Sequence, residues 1–183
     1  MALGAFRKLT VTKKIGFACK WIDTADQLNG IKSTDDAKKY TTGSTTAAWL
    51  NRQSKQIAEE KLWDLMKGNI ESVRMLVKRV GELDENLRMV RLGSDILPMY
   101  TQRDWKFFYG LSDVRAYYER AFRTVGDLAR KNNVRLSFHP GQFTVLASDN
   151  PDIVDRSIEE FEYHADMARW MGFGKQWQDF KIN

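Results

Sequence analysis

His139 is one of two histidines in the chain and stands in the stretch Leu136-Ser137-Phe138-His139-Pro140-Gly141-Gln142-Phe143, where an alternating apolar run gives way to a Pro-Gly turn. An imidazole presented there could ligate a metal, but metal sites take about three or four ligands. The residue alone therefore leaves a turn-capping histidine equally open. Gln142 and Phe143 follow a glycine in the same turn. A hydrogen-bonding amide beside an aromatic ring suits a wedge that enters a duplex and reads a disturbed base pair, and it suits ordinary turn packing as well. Phe17 and Trp21 could stack on bases, although an aromatic ring at a strand end more often belongs to the core. His164 falls within a helical pattern, where structural packing is the simpler role. Cys19 ends an apolar run and is expected to behave as a small buried hydrophobe. The chain has no phosphate-cradling Gly-rich loop, no nucleophile-elbow serine and no paired-histidine helix motif. Kinase, serine hydrolase and metalloprotease chemistries are disfavoured accordingly, and metal-dependent barrel enzymes and binding proteins remain.

The elements that hold these residues follow from hydrophobic periodicity. Ile15-Gly16-Phe17-Ala18-Cys19 is a short apolar run expected to form a first, buried strand. The polar stretch from Asp23 to Arg52 is predicted to be an irregular segment that covers a site or is mobile; its Lys32, Lys38, Lys39, Tyr40, Trp49 and Arg52 could grip nucleic acid or be an ordinary solvated loop. From Lys55 to Arg79, Leu62, Leu65, Met66, Val73, Leu76, Val77 and Val80 recur at helical spacing. Leu87 to Leu92 alternates as a second strand and stops at Gly93-Ser94-Asp95. A second amphipathic helix is expected from Ser112 to Lys131, with Val114, Tyr117, Ala121, Val125 and Leu128 inward. Val134, Leu136 and Phe138 mark a third strand. Asn150 before Pro151 caps a third helix, with Ile158, Phe161, Ala165 and Ala168 on its face. Asp179 to Asn183 begins a fourth strand. Strands alternating with helices specify an α/β domain with parallel strands and right-handed crossovers. In such sheets ligands bind where the strands end, so the residues after the first, second and third strands should converge on one mouth.

With 183 residues and 43% hydrophobic side chains, one compact domain covering 1–183 is expected, with 1–14 as a short N-terminal extension. The net charge of +5 weakly favours a polyanionic partner. One cysteine excludes an internal disulfide framework and a Cys-rich zinc site. No apolar stretch has the length of a membrane span, so a cytoplasmic protein is the expectation.

Four segments together resemble the UV damage endonucleases, and the match runs in register from Ile15 onward. They are Ile15 to Cys19; Arg91-Leu92-Gly93-Ser94-Asp95-Ile96-Leu97-Pro98; Leu136 to Phe143, the most specific; and Ser157 through Tyr163-His164-Ala165. The resemblance implies a TIM-type (β/α) barrel whose strand ends carry divalent metals, usually manganese. It also implies a nucleotide excision repair type of hydrolase that nicks DNA 5′ to UV photoproducts. By position His139 matches a metal ligand, Gln142 and Phe143 match a pair that probes the lesion, and Phe17 matches an aromatic of the damage site. Thr101-Gln102 stands where the family has a Ser-His pair, leaving Gln102 as a weaker candidate ligand. The family's remaining ligands lie on later strands. A full barrel needs eight strand–helix units in about 250 residues, whereas about three and a half βα units are legible here, roughly an N-terminal half. An open half barrel exposes strand edges, which implies either a fragment or a second polypeptide that completes the barrel around double-stranded, UV-damaged DNA. Two alternatives stay open: a damaged-DNA-binding module without cleavage, and a sugar isomerase-like metal barrel.

Overall fold

The computed structural model of the chain describes residues 13–21, 35–174 and 181–182. Most of the expected extension at 1–14, residues 23–34 of the expected irregular segment, with Lys32, and residues 179, 180 and 183 of the expected fourth strand lie outside the described residues. The element order is β1 (Phe17–Ala18), α1 (Asp35–Lys38), α2 (Ala47–Leu50), α3 (Lys55–Gly81), β2 (Met89–Leu92), α4 (Ser112–Lys131), β3 (Arg135–Phe138), α5 (Pro151–Trp170) and β4 (Lys181–Ile182). Short 3-10 turns occupy Glu85–Leu87 and Lys106–Gly110.

The four strands form one sheet in the order β1-β2-β3-β4, and every neighbouring pair is parallel. A right-handed crossover between parallel neighbours places each connecting helix on the same face when strand order follows chain order. In agreement, α4 contacts both α3 and α5. The register assigns residues to faces, because side chains alternate along a strand. Phe17 pairs with Val90 and Val90 with Leu136, so these three share one face. Ala18, Arg91 and Ser137 share the other. Val90, Leu92, Leu136 and Phe138 are buried under the helices.

Local chemistry explains the helix ends. Ser54 caps α3 by accepting from the Ile57 amide at 3.3 Å, and Asn150 caps α5 by accepting from the Asp152 amide at 2.9 Å, with Pro151 in the first turn. Ser112 is the first residue of α4, whose capping position is Leu111 with no side-chain bond. α4 and α5 meet at Gly126, where a Cβ would fall 1.8 Å from the Met171 carbonyl oxygen. A glycine is required there for close approach of the two backbones.

Several expectations are corrected. Ile15 is 70% exposed and β1 is confined to Phe17–Ala18, because the chain bends at Cys19. Leu87 lies in a 3-10 turn. The 35–52 part of the polar stretch carries α1 and α2, the latter burying Leu50. The inward stripe of α4 runs through Val114, Tyr118, Phe122, Val125 and Ala129, with Tyr117, Ala121 and Leu128 half-buried at its margin. On α5 the buried residues are Ser157, Tyr163, His164, Met167 and Ala168, while Ile158 faces solvent. Among the described residues no helix is long and apolar enough to cross a membrane.

Candidate site at the strand ends

The residues that follow β1, β2 and β3 converge. Cys19 adopts φ +64°, and its amide donates to the Arg91 carbonyl at 2.7 Å while the Lys20 amide donates to the Ala18 carbonyl at 2.7 Å. Left-handed backbone at a non-glycine residue is disfavoured and is held by its surroundings. Here it turns Lys20 toward the ends of the neighbouring strands. The His139 amide continues the ladder by donating to the Leu92 carbonyl at 2.9 Å, and the Ser94 hydroxyl donates to the His139 carbonyl at 3.1 Å. A hollow of about 170 Å³ results, with Cys19, Lys20, Thr41, Thr42, Asp95 and His139 in its wall. Cys19 is thus half-buried in this wall, not enclosed within a strand. Partial burial pushes its thiol pKa up, which keeps it protonated and unreactive.

His139 lies two residues beyond Ser137 and so projects from the face opposite the helices, the face that also carries Arg91. The Nη2 of Arg91 is 2.8 Å from Nδ1 of His139. A second, larger hollow of about 710 Å³ shares Ser94, Asp95 and Gly141 with the first and extends to Thr101, Gln142, Phe143, Arg156 and Glu160. Phe143 is 84% exposed at its edge, followed by the exposed Val145 and Leu146.

α5 fixes both loops of this larger hollow. The Tyr163 hydroxyl accepts from the Leu97 amide at 2.9 Å and donates to the Ser94 carbonyl at 2.9 Å. The Thr101 hydroxyl donates to Glu160 at 3.2 Å. Burial holds the Glu160 carboxyl above the usual carboxylate range, with the Thr101 hydroxyl pulling the other way. The Val145 amide donates to the Ser157 hydroxyl at 2.8 Å. From α3, the buried Asn69 donates to the Gly43 and Asp95 carbonyls at 2.8 Å each and accepts from the Gly43 amide at 2.7 Å. Arg91, Asn69, Tyr163 and Glu160 were not singled out by residue type or spacing. Tyr163 and Arg91 do stand in the motifs that carry the resemblance.

The other candidates fall elsewhere. Phe17 packs edge-on to Trp21 at 5.5 Å on the helix-covered face. Trp21 in turn is covered by the Arg79 guanidinium at 5.1 Å. Gln102 uses its side-chain oxygen to accept from the Asp104 and Trp105 amides at 2.7 and 3.0 Å, capping a turn. His164 is fully buried under α5, edge-on to Phe138, and its Nδ1 meets the Glu160 carbonyl at 2.6 Å. A carbonyl only accepts, so Nδ1 carries the proton, and burial lowers the ring's pKa and keeps it neutral.

The described residues do not by themselves assemble a ligand set for the implied divalent metal. Among the described residues no three His, Cys, Asp or Glu side chains converge as metal ligands. The Nδ1 of His139 faces a guanidinium, and the Gln102 oxygen is already shared by two amides.

The chain is 36% identical over 113 residues to the UV DNA damage endonuclease of Bacillus cereus (strain Q1), a match covering 61% of this chain and 33% of that protein. The protein of the same name from Bacillus anthracis (strain A0248) is 35% identical over 112 residues, with the same coverage. The chain thus spans about a third of the length of these curated relatives. The crystal structure of SacUVDE superposes with a TM-score of 0.66 at 19% identity, covering 93% of this chain and 48% of that one, which establishes a shared fold. The model of the UV-endonuclease UvdE family matches residues 13–183, and the chain belongs to that family.

Proposed function

We propose that this chain is the damage-reading part of a DNA repair endonuclease of the nucleotide excision type, forming roughly the N-terminal half of a (β/α) barrel that nicks DNA 5′ to UV photoproducts. One observation carries the reading: Phe143, 84% exposed, stands beside Gln142 on the rim of the 710 Å³ hollow at the strand ends. A large ring left in water next to a cavity gains about 1.5–3 kcal/mol when buried, and stacking on a base supplies a similar amount. The Gln142 amide can donate and accept at a base edge that lacks its partner. Phe17, half-buried against Trp21 beside the first strand end, is proposed as a further aromatic of the damage site.

Hydrolysis of the phosphodiester is assigned to the completed barrel. Manganese is the metal that the resemblance implies; His139 is proposed as one of its ligands and Gln102, which also caps a turn, as a weaker one, with the cluster completed by the rest of the barrel. A second polypeptide completing the barrel is part of the proposal. A damaged-DNA-binding module without cleavage is the second reading, resting on the same exposed Phe143 beside Gln142. A sugar isomerase-like barrel has no use for an exposed aromatic–amide pair and predicts no salt-sensitive DNA binding.

The test is incision of an end-labelled duplex carrying one cyclobutane pyrimidine dimer, with manganese present. The chain alone is expected to leave it uncut. A cut on the 5′ side of the dimer by the chain alone would refute the need for completion, and cutting without regard to the dimer would refute the repair reading.

A further inference from the structure

We propose that Ser157, on α5, is a positioning residue for damage reading, its hydroxyl tethering the loop that carries Gln142 and Phe143 to the body of the fold. The proposal deepens the reading above and rests on it for what the loop contacts.

The loop has little other hold. Pro140 is buried, but no residue from 141 to 150 is. Phe143, Val145 and Leu146, whose burial would pin the segment, are 84%, 43% and 53% exposed. The entry is set by β3, since the His139 amide donates to the Leu92 carbonyl and the Ser94 hydroxyl donates to the His139 carbonyl. The exit is set by Asn150, which caps α5. Between them, the Thr144 amide donates to the Gly141 carbonyl at 3.0 Å, a bond internal to the loop. Among the described residues, the hydrogen bond that joins 141–147 to another element runs from the Val145 amide to Ser157 Oγ, at 2.8 Å. The loop after β2 is held more firmly, by Asn69, by Tyr163 and, through Thr101, by Glu160.

Packing alone does not call for a serine at 157. The residue is 2% exposed, in the buried stripe of α5 with Tyr163, His164, Met167 and Ala168. Alanine would occupy that place with better helix propensity and no polar atom to satisfy. The Ser157 hydroxyl donates to the Ile153 carbonyl one turn back at 2.7 Å, which fixes its rotor and leaves the oxygen to accept from the loop. Val145 is two residues beyond Phe143. The tether therefore limits where the ring and the adjacent Gln142 amide stand at the rim of the larger hollow. A wedge ordered before contact avoids the entropy loss of ordering at contact, and that gain goes to the ligand the ordered wedge fits. Without the tether the competent arrangement is only part of the ensemble, and affinity for the damaged duplex falls by that fraction.

The test combines hydrogen exchange at the Val145 amide with fluorescence anisotropy on two duplexes of one sequence, with and without a cyclobutane pyrimidine dimer, for the whole chain and for Ser157→Ala and Ser157→Cys. Ser157→Ala is expected to speed exchange at Val145 about tenfold and to cut the preference for the damaged duplex about fivefold, the scale of one hydrogen bond. Ser157→Cys keeps a similar volume but offers only a weak acceptor, so it should match Ser157→Ala. A preference that survives Ser157→Ala overturns the proposal. So does a preference lost in Ser157→Ala but kept in Ser157→Cys, which would make the role one of filling space. Acceleration of the α4 amides equal to that of Val145 would make Ser157 a support of the whole fold and overturn it too. Unchanged exchange at Val145 in Ser157→Ala is the failure of the tether alone. Equal binding of both duplexes by the unaltered chain is instead the failure of the reading, seen before any substitution is made.

Discussion

Gly126→Ala is expected to lower the thermal midpoint by about 6–12 °C, the equivalent of about 3 kcal/mol in a domain of this size. In an exposed helix the same change stabilises by up to about 1 kcal/mol through helix propensity. The sign is reversed here because a Cβ at Gly126 would sit 1.8 Å from the Met171 carbonyl oxygen and 2.9 Å from the Met171 Cα. These are backbone atoms at the end of α5, so relief requires the two helices to separate. The same carbonyl accepts from Arg130 Nη1 at 2.9 Å, a bond lost with the separation. A thermal melt decides the point, and an unchanged midpoint would mean that α4 and α5 do not approach as described.

Asn69→Ala should cost about 2–4 kcal/mol, since it leaves the Gly43 amide, the Gly43 carbonyl and the Asp95 carbonyl without partners. The larger consequence is at the strand ends. Asn69 bonds both the segment carrying Thr41 and Thr42 and the segment carrying Ser94 and Asp95, which together wall the smaller hollow. Hydrogen exchange at the Gly43 amide is expected to accelerate by more than at the amides of α4. Acceleration confined to α3 would show that the loops hold themselves.

The framework was legible because its signals are local. α4 begins and ends where periodicity places it, and Asn150-Pro151 marks the start of α5 by capping chemistry alone. Helix faces were less legible. On α5 the buried stripe contains Ser157 and His164, whose polarity hides them from a count of apolar residues, while the apolar Ile158 is on the solvent side. On α4 adjacent tyrosines at 117 and 118 allow either phase, and packing against Trp170 selects Tyr118. The site was legible as a place: His139, Gln142 and Phe143 stand together where the third strand ends.

Its chemistry was not legible, because it depends on partners far along the chain. Arg91 reaches His139 only through the β2–β3 register. Gln102 has the composition of a candidate ligand and the local geometry of a turn cap, a distinction set by the amides of Asp104 and Trp105. The helix-covered face on which Phe17 lies is set by its pairing with Val90, again a partner far along the chain.

The central claim is that Gln142 and Phe143 read damage beside the strand-end hollow, and equilibrium binding tests it most directly. Fluorescence anisotropy with two duplexes of one sequence, with and without a single cyclobutane pyrimidine dimer, is predicted to show about tenfold tighter binding of the damaged duplex at moderate salt, the equivalent of about 1.4 kcal/mol and within the range of one base-stacking contact. The variant carrying both Gln142→Ala and Phe143→Ala is predicted to bind the two duplexes alike while retaining affinity for the undamaged one. Equal binding of both duplexes by the unaltered chain, or a preference that survives the double substitution, would contradict the account.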